Sequence, residues 1–261
     1  MARNLKLIDE LLAQGRQEFT FNVAQDALGT SASVTANVLR RLSDQGLVDR
    51  LTRGHYAIRP LGSLGTSAVT ENLSAAVGAA FEGREHRIAY LNALSELSVL
   101  SHPVRSVQVA CTQQVRFTMV SKRPLKLVIE RPETIHLEAD PVGKSWMSNL
   151  ERALFESALR VDLVGGSERL AEALGNSAGR ADPARIVRLG KAFGPRGRAA
   201  ERRLASLAAT LNLPLHLEPT VGNRQPIIRL DPRDARREWV DTRFRVAWNL
   251  TPDEIWAVVG S

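Results

Sequence analysis

The sequence predicts an α+β protein with a small N-terminal domain and a larger mixed α+β domain after it. Two short helical patterns and a basic hairpin follow one another within residues 22–59. The rest of the 261-residue chain alternates helical patterns with short apolar strands, and this length is more typical of two domains than of one. Glycine and serine at 61–65 are typical of a linker. We therefore expect domains at residues 1–60 and 66–261.

The N-terminal sixty residues contain three predicted helices. Apolar residues repeat at helical spacing over residues 5–12, and Gly15 is expected to end this first helix. A two-turn helix follows at 23–28, and Gly29 can adopt the positive φ of a sharp turn. The hydroxyl residues after it are typical N-caps, so the third helix should begin among them. Its predicted apolar stripe consists of Val34, Val38, Leu39 and Leu42. Gly46 is expected to end this helix.

A short hairpin is predicted after the third helix. Leu47–Val48 and Tyr56–Ile58 are the expected strands, on either side of a turn in which Gly54 supplies the positive φ. Helix, glycine turn, helix and hairpin in this order predict a winged helix-turn-helix. In such domains the second helix of the motif enters the DNA major groove and the hairpin flanks it.

The polar face of the third helix is the predicted reading surface. Asparagine can pair with adenine and arginine with guanine, while serine contacts phosphates or either base type. Arginines of the hairpin suit phosphate or minor-groove contact. A basic loop at 194–198 is a further candidate for backbone contact, and it fits a solvated loop equally well. The candidate DNA-binding residues are Ser31, Ser33, Asn37, Arg40, Arg41, Arg53, His55, Arg196 and Arg198.

The same pattern also fits a winged-helix module that binds protein and whose polar face is only solvated. Residues 1–60 contain 8 Lys and Arg against 6 Asp and Glu, so they are only mildly basic. Asn37 and the arginines nevertheless lie at the positions that a reading helix needs, and this favours double-stranded DNA as the partner.

Most of the excess positive charge lies far from the predicted helix-turn-helix in sequence. Residues 180–245 contain 15 Lys and Arg against 7 Asp and Glu, whereas residues 61–179 contain 12 against 13. A dense basic region is a candidate phosphate-backbone surface, whose contribution to binding would fall as salt rises. A solvated arginine-rich surface explains the same composition.

The second domain is predicted to be a mixture of helices and short strands. Helical patterns lie at about 67–81 and 88–99. Further helices are expected from a capping box at Ser148 and Glu151, from Gly165–Ser167, from Asp182–Pro183, from residue 197, and from a capping box at Thr251 and Glu254. The expected strands are Val107–Cys111, Val115–Val120, Leu125–Glu130, Ile135–Leu137, Leu215–Leu217, Ile227–Leu230 and Phe244–Trp248.

The sequence carries few candidates for a catalytic or metal-binding motif. The chain has no GxxxxGKS or GxxxxGKT phosphate loop, no glycine-rich dinucleotide motif and no histidines at metal-ligand spacing. Gly165–Ser167 could cradle a phosphate at a helix start, although a plain helix start is much commoner. We expect no cofactor and no metal, and Cys111, the single cysteine, should be a buried small hydrophobe.

The sequence also carries expectations about the compartment. No apolar run approaches the roughly twenty residues of a membrane span. Asp9 and Glu10 stand where an export signal would be apolar. We therefore expect a cytoplasmic protein without a membrane partner.

Three stretches in order along the chain resemble the AbiEi-type antitoxins of bacterial abortive-infection and type IV toxin–antitoxin systems. They are LVDRLTRGHYAI at 47–58, AYLNALSELSVL at 89–100, and SWMSNLERALFESALRVDLVGGSERLAEAL at 145–174. The first is generic to winged helices, and the order of all three over nearly the whole chain is more specific. Residues 93–97 lack the family's usual glycine, and Phe155–Glu156 replaces its aspartate.

The resemblance implies an autorepressor that binds inverted repeats in its own promoter. It also implies that the second domain counteracts a co-encoded nucleotidyltransferase-like toxin, generally without a stable complex. Some members are thought to act on the toxin enzymatically, and no nucleotide-binding motif in this chain supports that. Two other interpretations remain open: a ligand-responsive winged-helix repressor without a toxin partner, and an atypical kinase-like enzyme or a nuclease with a DNA-binding head.

Overall fold

The computed structural model describes residues 2–45, 47–52, 54–58, 73–100, 104–222 and 224–259. Helices and mixed sheets together confirm the predicted α+β class. The chain forms two compact units. Unit 1 comprises Met1–Gly83, Arg116–Pro124 and Val142–Ser145, and unit 2 comprises Arg84–Val115, Leu125–Pro141 and Trp146–Ser261.

Unit 1 begins with helices and a hairpin in the predicted order. Its first elements are α1 (Ala2–Ala13), β1 (Glu18–Thr20), α2 (Phe21–Leu28), α3 (Ala32–Asp44), β2 (Val48–Thr52) and β3 (His55–Ile58). The three strands form an antiparallel sheet in the order β1-β3-β2. The sequence pattern does not predict β1, which pairs Phe19 with Tyr56 so that their rings stack with centroids 5.7 Å apart.

The buried face of α3 differs from the predicted stripe. Thr35, Leu39 and Leu42 are buried, whereas Val34 is 44% exposed. The prediction that Val34 belongs to the core is therefore wrong. Thr35 can replace it because its hydroxyl lies 3.0 Å from the Thr30 hydroxyl, which satisfies a buried polar group locally.

Unit 1 extends beyond the predicted boundary near residue 60. Helix α4 (Leu73–Ala80) has an apolar buried face and contacts β2 and the short strand β6 (Met119–Val120). The Ser145 hydroxyl donates to the Ser74 carbonyl at 3.0 Å. Unit 2 therefore does not start at residue 66, because α4 and two later segments of the chain pack with the N-terminal elements.

Unit 2 is built on a mixed sheet with the strand order β7-β5-β4-β9-β8. Its strands and short helices are β4 (His86–Ile88), α5 (Tyr90–Glu96), β5 (Val107–Cys111), β7 (Arg123–Ile129), α6 (Pro132–Ile135), β8 (Ala139–Val142) and β9 (Ser145–Ser148). β5 is parallel to β7 and antiparallel to β4, and β4 is parallel to β9. Every residue of β5 is buried, including Cys111 as expected.

A layer of helices and a second small sheet complete unit 2. They are α7 (Leu150–Leu159), α8 (Val161–Val164), α9 (Ser167–Gly175), α10 (Pro183–Ala192), α11 (Gly194–Thr210), β10 (Ile228–Arg229), β11 (Trp239–Asp241), β12 (Val246–Trp248) and α12 (Pro252–Val259), with a 3-10 turn at Ala178–Arg180. The small sheet has the order β10-β12-β11. Helices α7, α9, α10 and α11 pack around one hydrophobic core.

Two predicted helix starts are confirmed by their hydrogen bonds. The Asp182 carboxylate accepts from the Ala184 N–H at 2.8 Å, with Pro183 at the first helical position of α10. At α12, the Thr251 N–H donates to the Glu254 carboxylate at 2.7 Å, and the Glu254 N–H donates back to the Thr251 hydroxyl at 3.3 Å. This reciprocal pair is the predicted capping box.

The capping box predicted at Ser148 and Glu151 is wrong. Asn149 caps α7 instead, and its side chain accepts from the Arg152 N–H at 3.0 Å. The Ser148 hydroxyl donates to Glu156 at 2.8 Å, and Glu151 accepts from the Asp182 N–H at 2.9 Å. Both residues are thus engaged by more distant partners.

Three further predictions differ from the structure. Ile135 ends helix α6 rather than starting a strand, because Pro132 fixes the helical φ at the first position of that helix. Leu215 and Leu217 alternate with exposed His216, so one side of this segment packs on the core although it is not a strand. Residues 194–198 form the first turn of α11 rather than a loop.

Candidate nucleic-acid interface

Local hydrogen bonds fix the turn between α2 and α3. The Thr20 hydroxyl accepts from the Val23 N–H at 3.3 Å and so caps α2. Gly29 ends α2 with φ +59°, and its N–H donates to the carbonyls of Gln25 and Asp26. This left-handed conformation favours glycine, and it lets the chain turn sharply into α3.

One exposed face of α3 carries the candidate residues that the sequence singled out. Ser33, Asn37, Arg40 and Arg41 are all exposed. Their spacing of about four residues places them in a row along the helix. Within the described part of the chain, Arg40 and Arg41 have no ion-pair partner. The row therefore presents amide and guanidinium donors to solvent.

Ser31 takes the predicted N-cap position of α3, but its side chain does not cap the helix. Its hydroxyl lies 3.2 Å from the hydroxyl of Ser33. The first N–H groups of a helix need an external partner when no side chain caps them, and phosphate oxygens are suitable acceptors.

Val34 adds an apolar side chain to this exposed face, which the sequence did not predict. Its exposed side chain lies next to Ser33 and one turn before Asn37 and Val38 in the helix. An apolar side chain on a reading helix can contact the thymine methyl group. The two threonines at 30 and 35 are the sequence feature that could have indicated the exposure of Val34. A threonine with a nearby hydroxyl partner can occupy the core in place of a valine.

The hairpin is held to the helices at its turn. The Phe21 N–H, at the start of α2, donates to the Gly54 carbonyl at 2.7 Å, and Gly54 has φ +84°. His55 pairs with Thr52 across the hairpin and is half-buried, and the register shifts between Arg50 and Thr52. Arg53, predicted at the hairpin tip, lies outside the described residues, as do Gly46 and the linker at 61–65.

Arg196 and Arg198 belong to unit 2, where both are exposed on the first turn of α11. Several of the surrounding arginines are engaged in hydrogen bonds and ion pairs within unit 2. Arg202 is buried, and its guanidinium donates to the carbonyls of Phe244, Pro226 and Arg245 at 2.7–3.0 Å. Only part of the excess charge in 180–245 is therefore available to a ligand.

Ion pairs take up further arginines of the same region. They are Arg185 and Arg188 with Glu138, Arg233 with Asp162, Arg236 with Asp234, and Arg243 with Glu218.

Unit 2 also contains a buried ion-pair network that no local motif indicates. Arg87 of β4 donates to Glu156 of α7 at 2.8 Å and to Glu130 at 3.0 Å. Arg152 of α7 contacts both carboxylates. Glu156 also accepts from the Tyr90 N–H at 2.6 Å. The network joins the central sheet to α5 and α7.

The charges in this network shift each other's pKa values. Burial opposes charge on Glu130, but Arg87 and Arg152 outweigh it and lower the pKa of that carboxyl. Burial also opposes charge on Arg87, and Glu156 and Glu130 outweigh it and raise the pKa of Arg87. For Arg152, burial and the charge of Arg87 prevail, so its pKa is lowered. Pairing thus favours the charged forms of Arg87 and Glu130 in spite of their burial.

Two features are absent from the described residues. They contain no group of three or more His, Cys, Asp or Glu side chains placed to hold a metal ion. Their helices include none with the length and apolar character that crossing a membrane requires.

Comparison with known proteins provides a fold relative. No family model matches the chain, and no curated protein matches it. Among solved structures, the chain is similar to the Rv2827c protein from Mycobacterium tuberculosis, with a TM-score of 0.70 and 15% sequence identity. The match covers 100% of this chain and 96% of that one. At this identity, the similarity shows a shared fold.

Proposed function

We propose that this chain is a DNA-binding antitoxin that represses its own operon and counteracts a nucleotidyltransferase-like toxin. In this proposal α3 of unit 1 reads the operator, the hairpin contacts the DNA backbone, and unit 2 supplies the antitoxic activity. The observation that carries the DNA-binding part is the exposed row on α3, where the side chains of Asn37, Arg40 and Arg41 have no hydrogen-bond or ion-pair partner among the described residues.

The DNA-binding part is supported by chemistry and by geometry. Asn37, Arg40 and Arg41 are the residue types that pair with adenine and guanine edges in the major groove. They lie on a 13-residue helix that follows a short helix and a tight glycine turn and precedes an antiparallel hairpin. That order of elements is the one expected of a winged helix-turn-helix.

The antitoxin part depends on the resemblance to the AbiEi family. The longest stretch of that resemblance, residues 145–174, corresponds to β9, α7, α8 and α9. It contains three of the residues that form or adjoin the buried network, namely Ser148, Arg152 and Glu156. The resemblance thus coincides with the part of unit 2 that joins its sheet to its helices.

The DNA-binding part is tested by fluorescence anisotropy with the promoter region of the chain's own gene and with a scrambled duplex. We expect Asn37→Ala and Arg40→Ala each to cost about 1–3 kcal/mol on the promoter, roughly 5- to 150-fold in affinity, and much less on the scrambled duplex. The loss on the promoter reflects broken base contacts.

Arg16→Ala is the matched control, because it removes an exposed arginine of unit 1 that lies outside α3. It should leave the ratio between the two DNAs unchanged. If the α3 variants lose equal affinity for both duplexes, these side chains contact only phosphates, and the proposed reading role is wrong.

A further inference from the structure

A cavity of about 350 Å³ in unit 2 is lined by an unusual concentration of arginine. The charged residues around it, here called the arginine cavity, are Arg160, Arg196, Arg203, Arg233 and Asp162. Arg160 precedes α8, Arg196 lies on the first turn of α11, and Arg203 lies two turns further along α11. Four arginines and one aspartate thus line the cavity.

That single carboxylate is shared by two of the arginines. Arg160 binds Asp162 through two nitrogens, at 2.8 and 2.9 Å, and Arg233 contacts the same carboxylate at 3.0 Å. Asp162 therefore has no remaining capacity to neutralise the others. Within the described residues, Arg196 forms no ion pair and no hydrogen bond through its side chain.

Arg203 supplies a buried and incompletely paired charge. The residue is 7% exposed, its Nε donates to the Arg229 carbonyl at 2.8 Å, and its Nη1 donates to the Ala158 carbonyl at 3.0 Å. Its Nη2 has no hydrogen-bond partner among the residues that the structure describes. Desolvation, opposed in part by Asp231, lowers the pKa of Arg203 to about 10. A buried cation in this state is stabilised by an anion placed against its free nitrogen.

We propose that the arginine cavity binds a phosphate group, either as the free anion or as the terminal group of a small phosphorylated molecule. Guanidinium groups match phosphate oxygens in geometry and charge, and Arg196 with Nη2 of Arg203 would bind the group from two directions. A volume of about 350 Å³ suits a small ligand, of the size of a mononucleotide or less. The proposal is independent of the proposed function.

The burial of Arg203 argues against duplex DNA as the occupant. Arg203 is buried, and a phosphate must enter the concavity to reach its free nitrogen. A terminal phosphate can do so, because it is attached at one oxygen only. A phosphodiester of a duplex is attached at two oxygens and is flanked by sugars and neighbouring phosphates.

Isothermal titration calorimetry of the full-length protein tests the proposal with three phosphate probes: inorganic phosphate, ribose 5-phosphate and adenosine 5′-monophosphate. Ribose and adenosine serve as probes without phosphate. We expect saturable binding of at least one phosphate probe and none of either unphosphorylated probe. Tighter binding of an ester than of inorganic phosphate supports a phosphorylated metabolite, and the reverse order supports the free anion.

Arg196→Ala should weaken that binding at least tenfold, whereas Arg198→Ala should change it less than twofold. The two variants remove the same charge from the same exposed turn of α11, and only Arg196 lines the cavity. Arg203 is not substituted, because its guanidinium also donates to two backbone carbonyls and its loss would disturb the fold. Arg233→Gln is a second variant at a mostly exposed side chain, and it should weaken binding severalfold by leaving Asp162 less neutralised.

Three results would overturn the proposal: no saturable binding of any phosphate probe, equal losses in Arg196→Ala and Arg198→Ala, or displacement of the bound probe by short duplex DNA at constant ionic strength. Equal losses would mean that the probe responds to the overall positive charge of this turn and does not contact Arg196 directly. Displacement by DNA would assign the cavity to a DNA surface. None of these results bears on whether α3 reads the operator.

Discussion

At the scale of single residues, Glu156 stabilises unit 2 through one buried carboxylate. It accepts from Arg87, Arg152, Ser148 and the backbone of Tyr90. We expect Glu156→Gln to lower the free energy of unfolding of unit 2 by about 3–5 kcal/mol, because it leaves two buried arginines with too little negative charge. Tryptophan fluorescence during urea unfolding measures this, since all four tryptophans lie in unit 2.

The control for this prediction is Glu133→Gln, which makes the same change at an exposed residue of unit 2. It should alter the free energy of unfolding by less than about 0.5 kcal/mol. A similar small effect of Glu156→Gln would mean that the buried arginines do not depend on that charge.

Glu130 gives the same network a predictable pH dependence. Arg87 and Arg152 lower the pKa of this carboxyl below its usual 4.5, against the effect of burial. A lowered pKa in the folded state adds stability above the pKa of the unfolded chain, and this contribution disappears as pH falls through the folded value. The difference in unfolding free energy between wild type and Glu130→Gln should thus be constant above about pH 5 and shrink below about 4.5.

Urea unfolding followed by tryptophan fluorescence at several pH values measures that difference. A difference that stays constant down to pH 3 would contradict the assignment of a lowered pKa to Glu130.

Residue patterns predicted the exposed face of α3 better than its buried face. Asn37, Arg40 and Arg41 are exposed as the spacing of apolar residues indicated. Thr35 is buried where Val34 was expected, because the Thr35 hydroxyl pairs with the Thr30 hydroxyl, and a pattern of apolar residues does not reveal such a pair. The buried network was unpredictable for a related reason: Arg87, Glu130 and the Arg152–Glu156 pair of α7 come from three separate segments of the chain.

At the scale of elements, the packing of α10 against α11 depends on Gly197. A Cβ at this residue would lie 2.6 Å from the Gly190 carbonyl oxygen and 2.6 Å from the Phe193 Cβ. We expect Gly197→Val to lower the free energy of unfolding of unit 2 by about 2–3 kcal/mol, because overpacking forces the two helices apart. Arg198→Val introduces the same residue at the next, exposed position and should cost less than about 1 kcal/mol.

Urea unfolding followed by tryptophan fluorescence measures the free energy of unfolding of both variants. Equal stabilities of the two would show that α10 and α11 can separate at little cost.

Element types were easier to predict than element ends and pairings. Caps at Asp182 and Thr251 marked helices correctly, because those signals are local hydrogen bonds. The start of α11 was missed, because glycine and proline at 194–197 are typical of loops. Here Gly197 is needed for close packing, and Pro195 fits the first turn of a helix. β1 was missed, because three residues carry too little pattern without the partner strand.

At the scale of the whole molecule, the division into two units follows tertiary contacts and not the linker-like composition at 61–65. Helix α4 and the segments 116–124 and 142–145 belong to unit 1, so the chain passes between the units more than once. No composition signal marks such returning segments. A truncation near residue 66 would remove the partners of these segments, so point variants of the full-length chain are the appropriate probes of separate functions.

In the proposed function, one chain divides DNA reading and toxin neutralisation between unit 1 and unit 2. This division is tested by growth of cells that express the cognate toxin together with a full-length Asn37→Ala, Arg40→Ala, Arg41→Ala variant from an unrelated promoter. All three side chains are exposed, so the fold should be retained, and circular dichroism checks this. We predict that the variant no longer represses its own promoter in a reporter strain and still rescues growth as well as the wild type. A folded variant that fails to rescue growth would contradict this division, because neutralisation would then require the DNA-reading face of α3.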